Sequence, residues 1–176
     1  METLAEVQEG LEGEKKVIDE EVAAVILAII IVAMVFAYTQ LLLKDRIIEP
    51  FSAIGLLGPE MKIGDYPRTV RVNETIDLYL FIDNHEGRIM YYVIKAKLGD
   101  KNTLINSSKP ADAPILTTYE TILAHGQNRT LPVKLKIPRE MTNARLIFEL
   151  WTLYENRTLS YTGRWVHLWL NVTSRI

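Results

Sequence analysis

The sequence predicts an antiparallel β-sandwich of immunoglobulin-like type, seven or eight strands in all, preceded by one N-terminal transmembrane helix. Three observations predict it. Residues 22–43 carry no charge at all. Beyond residue 68, apolar and polar residues alternate with a period of two in one run after another. Cysteine is absent from the 176 residues, which excludes a disulfide scaffold, a zinc finger, an iron–sulfur centre and a cysteine nucleophile. A mainly β chain of this length has to be held by an apolar core.

The elements follow in order. Residues 1–21 hold eight acids (Glu2, Glu6, Glu9, Glu12, Glu14, Asp19, Glu20, Glu21) and two bases (Lys15, Lys16), a net charge of −6. They form an acidic N-terminal tail. Residues 22–43, VAAVILAIIIVAMVFAYTQLLL, then span about 33 Å as a helix, against a hydrocarbon core of about 30 Å. A buried soluble helix would show a polar face, and this one shows none. The run is too long, and begins too far from the N-terminus, for the apolar region of a cleaved signal peptide. It reads as a retained anchor. Ala24/Ala28 and Ala33/Ala37 place small residues four apart, compatible with close helix packing.

From residue 44 the net charge is +4, with 18 bases and 14 acids. Residues 44–68 are rich in Pro and Gly and read as a stalk leading into a first strand around residues 51–57. Residues 69–176 read as the sandwich. Ile76, Leu78, Leu80 and Ile82 form one apolar stripe, ended by the turn Asn84-His85-Glu86-Gly87. Met90, Tyr92, Ile94, Ala96 and Leu98 form a second, and Leu131, Val133, Leu135 and Ile137 a third. Leu146, Phe148 and Leu150 lead a further strand, and Val166, Leu168, Leu170 and Val172 the last. Weaker runs occupy residues 69–72 and 115–123. Each strand is expected to have one core face and one wet face. Pro132 predicts an edge position or a bulge.

Five Asn-x-Ser/Thr sequons occur, at Asn73, Asn106, Asn128, Asn156 and Asn171. Eight asparagines and 19 serines and threonines would give about one by chance. The excess points to N-linked glycans and therefore to a domain outside the cell. Lysines and arginines flanking the helix are tied at two on each side, so charge alone does not orient it. The sequons place the acidic tail in the cytoplasm and the C-terminal domain outside.

Three stretches carry a resemblance. They are Gly58-Pro59-Glu60-Met61-Lys62-Ile63-Gly64-Asp65-Tyr66-Pro67, Phe148-Glu149-Leu150-Trp151, and the closing run from Tyr161-Thr162-Gly163-Arg164-Trp165 through Leu168-Trp169-Leu170-Asn171-Val172-Thr173. Over roughly residues 51–174 the chain resembles an archaeal family of predicted membrane proteins of unknown function with an extracytoplasmic β-domain. The resemblance implies a location and a fold and brings no activity. Some members carry several membrane helices before this domain, where this chain has one.

Chemistry is sparse. His85, His125 and His167 lack metal-site spacing, and neither a nucleophile elbow nor a phosphate-binding loop is present. Asp65, Asp83, Glu86 and Asp100 are turn carboxylates, with a calcium ion between loops as the alternative to simple solvation. No catalytic activity, metal or cofactor is expected, and nothing in the charge indicates nucleic acid. Binding features remain. Lys95 and Lys97 on one strand, and Lys134 and Lys136 on another, point to the wet face and would form a basic stripe if those strands are neighbours. Lysines that deter edge pairing are the plainer alternative. Tyr79, Phe81, Tyr91, Trp165 and Trp169 lie opposite the aliphatic stripes, as a contact surface or a second apolar layer.

The partners implied are membrane lipid, N-linked glycans and an envelope or surface protein, with self-association left open. The reading is a single-pass, glycosylated cell-surface module. A pilin-like filament subunit is the alternative, but Asp19-Glu20-Glu21 stand where its processing site would put a glycine and a base.

Overall fold

The structure, a computed structural model, describes residues 19–44, 49–153 and 158–174. Two units are compact within themselves, one ending at Ile48 and one beginning at Glu49. The acidic tail before residue 19 and the sequon at Asn156 lie outside the described residues.

Helix α1 (Glu20–Lys44) opens with Glu20 and Glu21 in its first turn, where carboxylates complement the partial positive charge of the helix N-terminus. Residues Glu20–Leu42 are long and apolar enough to cross a membrane, and none of that span is buried against protein. Apolar groups surround the helix on all sides. Thr39, one of its few polar groups, turns its hydroxyl back onto the Phe36 carbonyl at 2.8 Å.

The eight strands are β1 (Phe51–Leu57), β2 (Thr69–Arg71), β3 (Thr75–His85), β4 (Met90–Gly99), β5 (Ile115–Leu123), β6 (Asn128–Lys136), β7 (Met141–Leu153) and β8 (Leu159–Thr173). They form a three-stranded sheet in the order β1-β3-β6 and a five-stranded sheet in the order β2-β8-β7-β4-β5. Every pairing is antiparallel except β2 with β8, which run parallel. The first strands of the two sheets thus divide between them, and the third and sixth strands share one sheet against the fourth, seventh and eighth. That is the immunoglobulin-type arrangement of strands.

The alternation identifies the inner faces. Ile76, Leu78, Leu80 and Ile82 from β3 meet Tyr92, Ile94 and Ala96 from β4, Leu146, Phe148 and Leu150 from β7, and Leu168 and Leu170 from β8 in one buried cluster. Pro132 sits in β6, at the edge of its sheet. An edge strand can accommodate a residue that has no N–H to donate.

Two expectations change. The first strand is no part of a stalk: β1 pairs with β3 over its whole length, from Phe51 opposite His85 to Leu57 opposite Tyr79. The sandwich therefore begins before residue 69, and residues 58–68 are a loop inside it. The single wet face also fails for β4 and β7, the central strands of the larger sheet. Val93 and Lys97 on β4, and Ile147 and Glu149 on β7, belong to the outer face by parity, yet all four are buried.

Asn84 holds two turns together. Its side-chain amide donates to the Arg88 and Leu123 carbonyls, both at 2.8 Å, and its Oδ1 accepts the Glu86 N–H at 2.9 Å. Its backbone exchanges bonds with Gln127 and Gly126. Asn84→Ala leaves the buried Leu123 carbonyl without this donor, and a loss of about 2–3 kcal/mol is expected in urea unfolding.

Candidate functional site

The outer face of the five-stranded sheet carries the densest chemistry. The segment between β4 and β5, residues 100–114, crosses it as a strap. Gly163, at φ +76°, makes the crossing possible, because a Cβ there would meet the Ser107 carbonyl oxygen at 2.5 Å. Arg145 donates to the Thr103 carbonyl at 2.9 Å and the Tyr161 hydroxyl to the Asn106 carbonyl at 3.1 Å.

Under the strap lies an ion pair. Lys97 Nζ stands 3.2 Å from Glu149 Oε1 and 3.0 Å from Oε2, and it donates to the Ala111 carbonyl at 2.6 Å. The Ala111 N–H donates to Glu149 Oε1 at 2.6 Å and the Trp151 indole N–H to Oε2 at 2.9 Å. The Glu149 side chain is 0% exposed and that of Lys97 9%. A buried carboxylate is tolerable when its oxygens are this fully satisfied. Next to it Lys95 Nζ sits 3.4 Å from the Trp151 ring centroid. Burial and the neighbouring Lys97 charge hold the Lys95 ammonium below its ordinary pKa. Burial, and then the Glu149 charge, push the Tyr161 hydroxyl up to about 12.

Along β8 the side chains of Trp165, His167 and Trp169 follow one another on the same face. His167 stacks on Trp165 with centroids 5.2 Å apart and meets Trp169 edge-on at 5.9 Å. The Arg145 guanidinium lies 5.2 Å from the Trp165 ring and 5.3 Å from the Trp169 ring. Its Nε is buried without a hydrogen-bond partner among protein groups, so much of its stabilisation comes from the two aromatic faces. Trp169 remains 42% exposed. Burial first, and the Arg145 charge second, lower the His167 pKa.

The sign of that shift makes a prediction. The folded state binds the His167 proton less readily than the unfolded chain, so stability is complete above the unfolded value of about 6.5 and declines as pH falls below it. Melting temperature should drop between pH 7 and pH 5, and His167→Gln should flatten that part of the profile. Asp100 and Glu140, whose pKa values are lowered by hydrogen bonds, add their own losses only below about pH 4.

The basic stripe does not form. Lys95 and Lys97 lie on β4 in the larger sheet, whereas Lys134 and Lys136 lie on β6 in the smaller one. Lys97 is committed to Glu149 and Lys95 to Trp151. Lys134 and Lys136 are exposed on an edge strand, Lys134 with only a 3.9 Å pairing to exposed Asp77. Trp165 and Trp169 do stand together on the outer face. Arg145, His167, Trp151 and Tyr161 complete the cluster, and the sequence pattern assigns none of the four to a binding surface.

The described sequons are spread over the sandwich. Asn73 is exposed in the turn between β2 and β3 at φ +62°, Asn106 is exposed on the strap, and Asn128 is exposed at the start of β6. Asn171 is half-buried on β8, its Oδ1 accepting the Asn143 N–H at 2.9 Å. Elsewhere, His85 stacks on Phe51 at 4.8 Å and meets His125 edge-on at 5.9 Å. The Gly87 N–H donates to His125 Nδ1 at 3.0 Å, which leaves the ring proton on Nε2. Among the described residues, no three of His, Asp and Glu converge as a metal site would require.

Several solved structures show a loose similarity to this chain. The CARDB domain of the PF1109 protein from Pyrococcus furiosus, in complex with di-metal ions, is 12% identical with a TM-score of 0.43, over 70% of this chain and 89% of that one. A β-glucosidase from Listeria innocua in complex with glucose is 11% identical with a TM-score of 0.43, over 71% of this chain but only 16% of the enzyme. The sporulation control protein Spo0M from Bacillus subtilis is 6% identical with a TM-score of 0.40, over 69% of this chain and 49% of that one. No curated protein sequence matches the chain. A family profile described as a domain of unknown function, DUF1616, matches residues 47–171. That span takes in all eight strands apart from the last residues of β8, and the chain belongs to the DUF1616 family.

Proposed function

We propose that this protein is a single-pass membrane-anchored, N-glycosylated cell-surface module whose β-sandwich contacts the cell envelope or a complex within it, and that it catalyses no reaction. The observation that carries the reading is α1, a 25-residue helix whose described side chains are exposed on every side with no polar face. Such a helix is costly in water and favourable in a bilayer. The sandwich fits an external domain: Asn73, Asn106 and Asn128 are exposed acceptors at strand ends and loops. Its binding chemistry is a surface of aromatic and cationic groups, and no catalytic constellation is assembled among the described residues. The archaeal setting and the orientation with the acidic tail in the cytoplasm belong to the same proposal.

Two measurements test it. Mass spectrometry of the native protein should find glycan on at least some of Asn73, Asn106, Asn128, Asn156 and Asn171. Protease added to intact cells stripped of any surface layer should digest the sandwich and spare the acidic tail. Unmodified asparagines together with a protected sandwich would reverse the orientation and end the surface-module reading.

A further inference from the structure

The loop between β1 and β2 is built tightly against β8. The Gly58 N–H donates to the Lys62 carbonyl at 2.8 Å and the Met61 N–H to the Gly58 carbonyl at 3.0 Å. A Cβ at Gly58 would clash with the Gly64 carbonyl oxygen. The Tyr66 hydroxyl donates to the Leu56 carbonyl at 2.7 Å, and the Asn171 N–H reaches the Arg68 carbonyl at 2.8 Å. Within this frame Gly64 lies at φ +129° and Asp65 at φ +51°. A left-handed aspartate has a cost, which the surrounding bonds sustain. Its outcome is that Asp65 and Arg68 line a cleft of about 620 Å³ whose other wall is His167 and Trp169. Neither charged side chain has a hydrogen bond or an ion pair with another described residue.

We propose that this cleft binds a pyranose ring of an oligosaccharide. The volume falls in the range of small-ligand sites, about 300–1,000 Å³. Trp169 offers an aromatic face on which the polarised C–H face of a sugar can stack, and its indole is already in contact with Arg145 and His167, so stacking orders little that is not already ordered. Asp65 accepts hydrogen bonds from ring hydroxyls and Arg68 donates them. An aromatic plate flanked by one carboxylate and one guanidinium matches a neutral polyol better than an anion, which Asp65 would repel, or an apolar peptide, which would leave both charges unpaired. Two sources supply such a ring. One is a polysaccharide outside the chain. The other is a glycan on Asn171, two positions from Trp169 on the same face of β8; this second source alone depends on the glycosylation proposed above.

The full chain, produced in a host that does not glycosylate it and held in detergent, should be titrated with tri- to hexasaccharides of glucose, mannose, galactose and N-acetylglucosamine. Tryptophan fluorescence and ligand-observed NMR report binding. At least one probe should bind saturably below about 10 mM. Trp169→Ala should weaken that binding about tenfold, with Trp169→Phe recovering part of it. Asp65→Asn and Arg68→Ala should each weaken it while the melting temperature stays unchanged. In the glycosylated native protein, equal binding before and after Asn171→Gln assigns the site to an outside polysaccharide. Binding that appears only after Asn171→Gln, or a Trp169 indole signal that moves when the glycan is trimmed, assigns it to the chain's own glycan. Absence of binding by every probe, with an indole signal indifferent to the glycan, overturns the proposal. That failure leaves the anchor and the topology untouched, since neither is measured here.

Discussion

Replacing Glu149 with alanine should cost the sandwich about 3–5 kcal/mol, the expense of stranding a buried cation. Three donors converge on that carboxylate: the Lys97 ammonium, the Ala111 N–H and the Trp151 indole N–H. Without it Lys97 keeps only the Ala111 carbonyl, and the strap loses its deepest attachment. Thermal unfolding of the full chain in detergent, followed by near-ultraviolet circular dichroism, measures the loss. The double replacement Lys97→Met with Glu149→Leu should recover most of it, because a packed apolar pair has no charge to leave unsatisfied. Lys134→Ala, which removes an exposed and loosely paired lysine, should change nothing measurable. A Glu149→Ala variant as stable as the parent would show that the strap is held by other contacts.

The second large effect concerns the helix. Lysine at positions 29 and 32 together places two charges near the middle of the Glu20–Leu42 span. Each costs about 2.5–3.5 kcal/mol at the centre of an inserted helix. The parent chain should stay in the pellet after a carbonate wash, and the Ile29→Lys, Val32→Lys variant should pass to the supernatant. Its near-ultraviolet spectrum should match the parent, because the sandwich forms a separate compact unit. A variant that still pellets would argue against the anchor.

The contrast between two short motifs shows what alternation conveys and what it omits. Lys95-Ala96-Lys97 and Lys134-Leu135-Lys136 have the same pattern, and in both the apolar residue is buried in the core. The inner face was legible in both strands because it depends only on parity along one strand. The outer face depends on what crosses it. β6 is an edge strand on which Lys134 stays exposed, whereas β4 is flanked by β5 and β7 and its outer side at Lys97 is covered by the strap. Lys97 meets its partner 52 positions away, a pairing that no local pattern contains. Trp165 and Trp169 stood out as large aromatics at polar positions. Arg145 and His167 did not, because their role lies in the pairing of β7 with β8, which sets Arg145 opposite Trp169 and Ile147 opposite His167. The loop at residues 58–68 looked like a spacer for a similar reason. Glycine and proline mark irregular backbone, and whether that backbone is slack or tightly bonded depends on partners elsewhere, here Leu56 and Asn171.

The parallel pairing of β2 with β8 gives the sandwich a mechanical character. Force entering from the N-terminal side loads β1 and its pairing with β3 first and reaches the start of β2 once that pairing yields, and force entering at the C-terminus reaches the end of β8. Because these strands run in the same direction, Thr69 beside Asn171 and Arg71 beside Thr173, a pull between those two points slides one strand along the other. Their rungs are then loaded together, whereas an antiparallel hairpin pulled at its open end gives way one rung at a time. A module tethered at one end and gripped at the other would therefore resist tension as a shear clamp, yielding at a rate set by the unfolding barrier of the joint and not by its equilibrium stability.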